Sequence, residues 1–430
     1  MPPIRPEHLL PGQDLINLHG VLTLDGELVS ISIANQHVAT RELHVGAPAD
    51  GVDASGWIML PPLADLHAHI DKAYTWSMAG GPEGSLEDAV ACWQTFGAEL
   101  TYAQIKINAR RQLTAALSAG VTAMRSHVNY HVGDDPLRGI RAVIELREEF
   151  QGAVDLQVVA MNSHLTESAL IREAMAMGVD LLGDAPHLGP DPRGELERTI
   201  ALADEASIGV DIHTDETLDV NSLDLRDLAA LTASWPLERT RSAGHCVSLA
   251  VQPTEVLAEL LDEVAAAGVS IITNPLTNLY LQGWEHPVSM PRAIPPLLAI
   301  RDAGVHLAAG GDNVQDPFNP LGNADMVDTV AALVLAGHVT PRTAWEISAA
   351  GRELMGLPKA SGHVGDPADL ILVRATSVAE AIAERAPDRV VIRGGRVMAT
   401  RALTINAIQI PPLETPTTKL HTHATKEMQL

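Results

Sequence analysis

From residue 59 onward the chain alternates short apolar or β-branched runs with longer segments in which Ala, Leu and Glu recur at helical spacing. This is the pattern of repeated βα units. Eight runs stand out: MLPPLADLHAH ending at His69, VTAMRSHV from Val121, DLQVVAMN from Asp155, GVDLLGDAP from Gly178, GVDIHTDE from Gly209, SAGHC from Ser242, VSIITNPL from Val269 and VHLAAGGDN from Val305. Several follow a segment ending in Ala-Gly or Met-Gly, as in LSAGVT and AAAGVS, where glycine is the expected helix C-cap before the next strand. Eight parallel strands with intervening helices make a (β/α)8 barrel or a doubly wound open sheet, and periodicity alone does not separate the two. Polar residues favour the barrel. His67 and His69, His213, His245 and Asp312 stand at or near the ends of four runs, and in a barrel those ends converge on one mouth, whereas in an open sheet they are spread out.

The flanks carry a different rhythm. Residues 14–58 alternate like antiparallel strands, with LDGE as a hairpin turn signal, and residues 366–402 do the same around one short helix. The expected architecture is α/β: a (β/α)8 TIM barrel over residues 59–358, with a small β-sandwich built jointly by residues 1–58 and 359–410. Residues 411–430 are rich in Pro and Thr and read as a flexible tail.

Composition narrows the partners. The chain has 430 residues, 46% of them hydrophobic, enough for a large core. Its 29 Lys and Arg against 54 Asp and Glu give a net charge of −25, which repels phosphate backbones and anionic membranes over a Debye length of roughly 8 Å. Aromatic residues make up only 3% and leave few platforms for stacking bases. A small neutral molecule is the expected partner, not nucleic acid or a membrane. Two cysteines, Cys92 and Cys246, write neither a disulfide framework nor a Cys-based zinc site. No secretory-type apolar stretch opens the sequence and no run of about 20 apolar residues follows, so a cytoplasmic protein is expected.

The stretch LADLHAHIDKAY, residues 63–74, carries the first chemical signal. On a strand, positions i and i+2 face one side with Cα atoms roughly 6.6 Å apart, so His67 and His69 point the same way. That separation suits two imidazoles closing on one ion at about 2.0–2.1 Å per bond. His-x-His alone is weak evidence, but His213, His245 and Asp312 add ligand-type or acid–base side chains at later strand ends.

HAHIDK, HTDE, GHC, NPLTNLYLQG and GGDNVQDPFNPLGNADM together resemble the amidohydrolase superfamily, in its cytosine deaminase-like branch, over about residues 14–400. The resemblance implies that His67, His69, His213 and Asp312 hold one divalent metal, with zinc expected and iron the alternative. It further implies that Glu216 shuttles protons and that His245 orients the attacking hydroxide. Such a metal lowers the pKa of bound water to about 7, so a metal-bound hydroxide can attack an electron-poor ring carbon while Asp312 takes its proton. Glu216 stands an odd offset after His213, so the chain must turn at Thr214 and Asp215 for it to reach in. The implied reaction is hydrolytic release of ammonia or an amine from a small cytosine-like, pterin-like or triazine-like heterocycle. Binuclear members carry a bridging lysine or glutamate on the fourth strand; GVDLLGDAP has no lysine and Asp184 falls past that position, so one metal is expected.

Cytosine deaminases of this branch have a glutamine just after the third strand; here Asn162, Ser163 and His164 stand there. They also tend to have a second aspartate where this chain has Asn313, which both donates and accepts hydrogen bonds. HIDK and DN are similar to the triazine-ring amidohydrolases, such as the enzymes acting on N-isopropylammelide. Ser163, His164, Gln282, Asn313 and Phe318 are the expected substrate-lining residues. The alternatives are a cyclic amide hydrolase of the hydantoinase or dihydroorotase type, and a non-catalytic scaffold on the same fold. Lys72 is expected to pair with a carboxylate and Asp71 to brace its loop, while His127 and His131 are candidates for the pocket wall. Cys246 reads as a small buried residue, and His421 and His423 lack a rigid strand. Relatives in this branch are often homo-oligomers.

Overall fold

The computed structural model describes residues 4–46, 51–82 and 84–403; the tail 411–430, with His421 and His423, lies outside them. Eight strands pair in parallel and in chain order: β1 Leu63–Ala68, β2 Val121–Asn129, β3 Asp155–Met161, β4 Leu181–Gly183, β5 Gly209–Thr214, β6 Arg241–His245, β7 Ser270–Thr273 and β8 Leu307–Ala309. The ring closes where a parallel bridge joins Ala68 to Asp312. There the Asp312 N–H donates to His67 O at 2.7 Å and the His69 N–H donates to Asp312 O at 3.1 Å. This is the (β/α)8 barrel that the converging polar strand ends require. Helices feed the strands through left-handed caps, with φ of 106° at Gly120 and 68° at Gly268, a conformation glycine adopts without a Cβ clash.

Parallel strands sheathed by helices bury both faces, and every residue of β1, β5 and β6 is buried. Not all of the barrel interior is apolar. Arg125 on β2, wholly buried, donates to Asp211 Oδ2 on β5 at 2.5 Å, to Ser242 Oγ on β6 at 3.0 Å and to Gln157 Oε1 on β3 at 3.0 Å. A buried ion pair is tolerable when its remaining hydrogen-bonding capacity is also met.

The two ends of the chain build a second, mostly antiparallel sheet with its own apolar core. The hairpin of Asn17–Thr23 and Leu28–Ala34 turns at the LDGE signal, and Ile58–Leu60 pairs with Leu370–Val373 to bring the termini together. This sheet is tied to the barrel by Arg352 on helix Pro341–Leu354, which donates to Asp369 Oδ2 at 2.8 Å and to Thr122 Oγ1 at 2.7 Å. Asp369→Ala leaves that guanidinium buried without its counter-charge, an expected cost of about 3–5 kcal/mol. Urea unfolding of the variant measures it, and a midpoint equal to that of the parent would show that the joint contributes nothing.

Candidate metal centre and active-site cavity

Strand alternation sends His67 and His69 to one side of β1, and the barrel brings the ends of β5, β6 and β8 to meet them. Room for the His67 ring comes from two glycines of the recognised segments. A Cβ at Gly244 would lie 2.7 Å from His67 Cε1, and one at Gly310 would lie 2.5 Å from His67 Cβ. At the last residue of β6 and just beyond β5 and β8, non-glycine residues take left-handed backbone: φ is 67° at His245, 54° at Asp215 and 63° at Asp312. Such conformations are costly for residues with a Cβ and gather at functional sites.

The donor atoms converge. His213 Nε2 lies 3.0 Å from His67 Nε2 and 3.2 Å from His69 Nε2, while Asp312 Oδ1 lies 3.4 Å from His69 Nε2 and 3.9 Å from His67 Nε2. Ligands at about 2.1 Å in tetrahedral array stand about 3.4 Å apart. All four residues are buried, and the Asp312 carboxylate lacks a well-formed hydrogen bond among the described residues, with the Thr277 side chain and the Lys72 charge offsetting its burial only in part. Burial, reinforced by the surrounding imidazoles, His127 and His245 among them, and at His69 first by the Lys72 ammonium, holds His67, His69 and His213 well below the usual imidazole range, in the neutral form that ligates metals. Burial, with the Asp316 carboxylate adding to it, pushes the Asp312 carboxyl well up. A divalent cation reverses that last effect, so three neutral imidazoles and one uncompensated carboxylate are a donor set that fits such an ion.

Glu216 reaches the same place through the left-handed Asp215. The Asp215 carboxylate fixes that turn by accepting from Ser222 Oγ, Asp224 N and Leu225 N. Burial drives the Glu216 carboxyl well above its ordinary range, with Asp312 and Glu87 adding and Lys72 opposing. Its Oε1 stands 3.3 Å from His245 Nδ1. That nitrogen donates to Asn278 Oδ1 at 2.8 Å, leaving Nε2 as an unpartnered acceptor. Burial lowers the His245 pKa to about 3.

A cavity of about 630 Å³ opens on these groups. Ser163, His164, Asn313 and Phe318 line it, with Asn313 Nδ2 partly committed to Asp316 Oδ2 at 2.8 Å. Gln282 does not; its amide donates to the Glu216 carbonyl at 2.9 Å and lines a neighbouring cavity. Lys72 is not paired with a carboxylate either: its Nζ donates to Asn129 Oδ1 at 2.6 Å, stands 3.1 Å from His69 Nδ1, and lies beside the Trp93 and Phe318 rings. Asp71 braces the end of β2 by accepting from Asn129 N. His131 lines the wall, whereas His127 packs against His67, ring centroids 4.1 Å apart, and faces Asp211. Asp184 turns to Thr199 Oγ1 and Ala185 N, away from any bridging position, and burial pushes the Cys246 thiol up. Two residues gain importance only in three dimensions. Asn278, inside NPLTNLYLQG, fixes the His245 tautomer; Asn162, the last residue of the third run, lines the cavity with both amide atoms unpartnered.

The family described as "Amidohydrolase family" matches residues 94–399. A pterin deaminase of Rhizobium rhizogenes is 31% identical over 82% of this chain and 82% of its own length. An N-isopropylammelide isopropyl amidohydrolase of a Pseudomonas species is 26% identical over 90% of this chain and 97% of its own. Among solved structures, the 5-methylcytosine deaminase of Klebsiella pneumoniae, liganded with phosphonocytosine, superposes with a TM-score of 0.81 at 22% identity, covering 91% of this chain and all of that one.

Asp184 supplies a test of the buried electrostatics beside the site. Burial raises its carboxyl from 3.8 to about 6, against hydrogen bonds from Thr199 and Ala185. The folded chain therefore holds this proton more tightly than the unfolded chain does. Its contribution to stability is complete below about pH 4 and is lost as pH rises through about 6, to the extent of about 3 kcal/mol. The buried histidines, neutral in the folded chain, raise stability over the same window, so the quantity to read is the difference in unfolding free energy between metal-free parent and Asp184→Asn, which should fall by about 3 kcal/mol from pH 4 to 7. A difference that stays level with pH would contradict the assignment.

Proposed function

This chain belongs to the amidohydrolase family, and from that premise we propose that it hydrolyses an exocyclic C–N bond of a small nitrogen heterocycle, releasing ammonia or an amine. The observation that carries the proposal is the buried convergence of His213 Nε2, 3.0 and 3.2 Å from the Nε2 atoms of His67 and His69, and of Asp312 Oδ1, 3.9 and 3.4 Å from the same two atoms. These residues would hold one divalent metal, zinc in the first instance, with iron also suited to nitrogen and oxygen donors. The bound ion would make water a nucleophile at neutral pH.

The chain's own groups divide the remaining work. His245 Nε2, neutral and unpartnered, accepts a hydrogen bond from the attacking water and aims it at the ring carbon. Asp312 receives the proton that this water gives up. Glu216, whose carboxyl burial pushes well above its ordinary range, donates its proton to the ring nitrogen next to the carbon under attack, then takes the proton of the newly formed hydroxyl and passes it to the departing nitrogen, and the proton held by Asp312 restores it. The C–N bond breaks and the ring keeps a carbonyl. Asn162 offers one donor and one acceptor to the ring edge, beside Ser163, His164 and Asn313, while Phe318 covers a ring face. A pterin, pyrimidine or triazine presents such an edge, and relatives named for pterin and N-isopropylammelide hydrolysis support that class.

Metal-loaded protein should release ammonia or amine from at least one of a panel of aminopyrimidines, pterins, triazines, aminopurines and creatinine-like rings. Silence across the panel would reject the reading. Glu216→Gln should keep metal content unchanged and lower turnover by about 10²- to 10⁴-fold, measured by metal analysis alongside ammonia release; an unaltered rate would remove Glu216 from its role.

A further inference from the structure

The cavity in front of the donor cage holds about 630 Å³, within the range of sites that enclose drug-sized ligands. Its wall has two unlike halves. Donor and acid–base groups come from β1, β5, β6 and the segment after β8, while the segments after β2, β3 and β4 fill the sector between β1 and β5. Beside the polar Asn129, His131, Asn162, Ser163 and His164, this sector contributes Met161 at the end of β3, Leu170 and Leu188, and Leu86, Val90 and Trp93 of helix Leu86–Phe96 continue the apolar part of the surface. The one carboxylate the sector brings is Glu167, exposed at the rim. At the mouth, three apolar side chains from three different loops stand in solvent: Val132 is 69% exposed, Leu165 72% and Leu188 43%. A concave site lined largely by apolar side chains with a few polar groups is the usual form of a small-molecule pocket.

The wall is also held in place. Arg138 donates to the carbonyls of Gly97, Ala98, Leu100, Val132 and Asp135, tying the segment after helix Leu86–Phe96 to the loop after β2. Arg198 donates to the carbonyls of Ser163 and Thr166 in the loop after β3. Arg198 also pairs with the Glu195 carboxylate at 2.6 Å, and both guanidinium groups thus fix the backbone of the loops that form the chamber.

We propose that the substrate ring carries an apolar substituent of several carbons, placed opposite the bond that is cleaved, and that this substituent lies against the wall after β2–β4. This rests on the heterocycle-hydrolase reading above and adds the substituent to it. The test uses full-length, metal-loaded protein and pterins bearing hydrogen, methyl, butyl, hexyl or phenyl at C6, across the fused rings from the 2-amino group. Affinity is read by quenching of pterin fluorescence and turnover by ammonia release. Each added methylene should tighten binding by about 4-fold, the equivalent of about 0.8 kcal/mol, until the chamber is full. Leu170→Asn should flatten the series, and Leu165→Asn, at a position too exposed for folding to be at stake, should flatten its longer members. Affinity that is level or falls with chain length, or binding by no member, overturns the inference. Rising affinity without ammonia release would uphold the chamber and reject the hydrolase reading, while ammonia release with no preference for longer chains would do the reverse.

Discussion

Two backbone hydrogen bonds, Asp312 N–H to His67 O and His69 N–H to Asp312 O, close the barrel at the residues that form the donor cage. Closure and chemistry are therefore one constraint. A strand's side-chain period is two, so a slip of one residue at this seam would turn both histidines of β1 away from the mouth. The left-handed backbone at Asp312 is the local cost of ending β8 in a carboxylate that folds back over β1, and the seam holds it there. Gly310 and Gly244 complete the arrangement by leaving the His67 ring space that any side chain would fill.

Beneath the cage the interior is polar where a barrel is usually packed with branched aliphatics. Arg125 and Asp211 form a pair without solvent contact, and His127 bridges from that pair toward His67. Burial alone would raise the Asp211 carboxyl, but Arg125 and His127 outweigh it and hold it low. Asp312, one layer up, has no such guanidinium: burial and the Asp316 carboxylate push it the other way, and Thr277 and Lys72 offset this only in part. Two carboxylates in one barrel thus lie on opposite sides of their ordinary range, one held by a contacting arginine and the other set near a second carboxylate. The upper one is left in need of positive charge.

Much of this was legible in the pattern of residues. The eight runs that alternate with helical segments are the eight barrel strands, because parallel strands buried on both faces leave continuous apolar stretches. The turn at Asp215 followed from the odd offset between His213 and Glu216. Other features lay beyond sequence reasoning because they depend on partners remote in the chain. Gln282 faces the Glu216 carbonyl and not the central cavity, and Lys72 found Asn129, 57 residues away, in place of a carboxylate. Asn162 was visible as the residue standing where a glutamine was expected. That its amide would be buried without any internal partner is a property of packing, and no spacing rule carries it.

The grip of Arg138 and Arg198 on main-chain carbonyls separates what shapes the chamber from what coats it. A carbonyl oxygen is the same whichever side chain its residue bears, so position 132 can change identity without losing that grip, whereas Ser163 and Thr166 also brace their loop through their own hydroxyls. A barrel built this way can acquire taste for new molecules by single substitutions in its lining, each tried on a frame that stays put, and the scaffold need not be refounded for every change of diet.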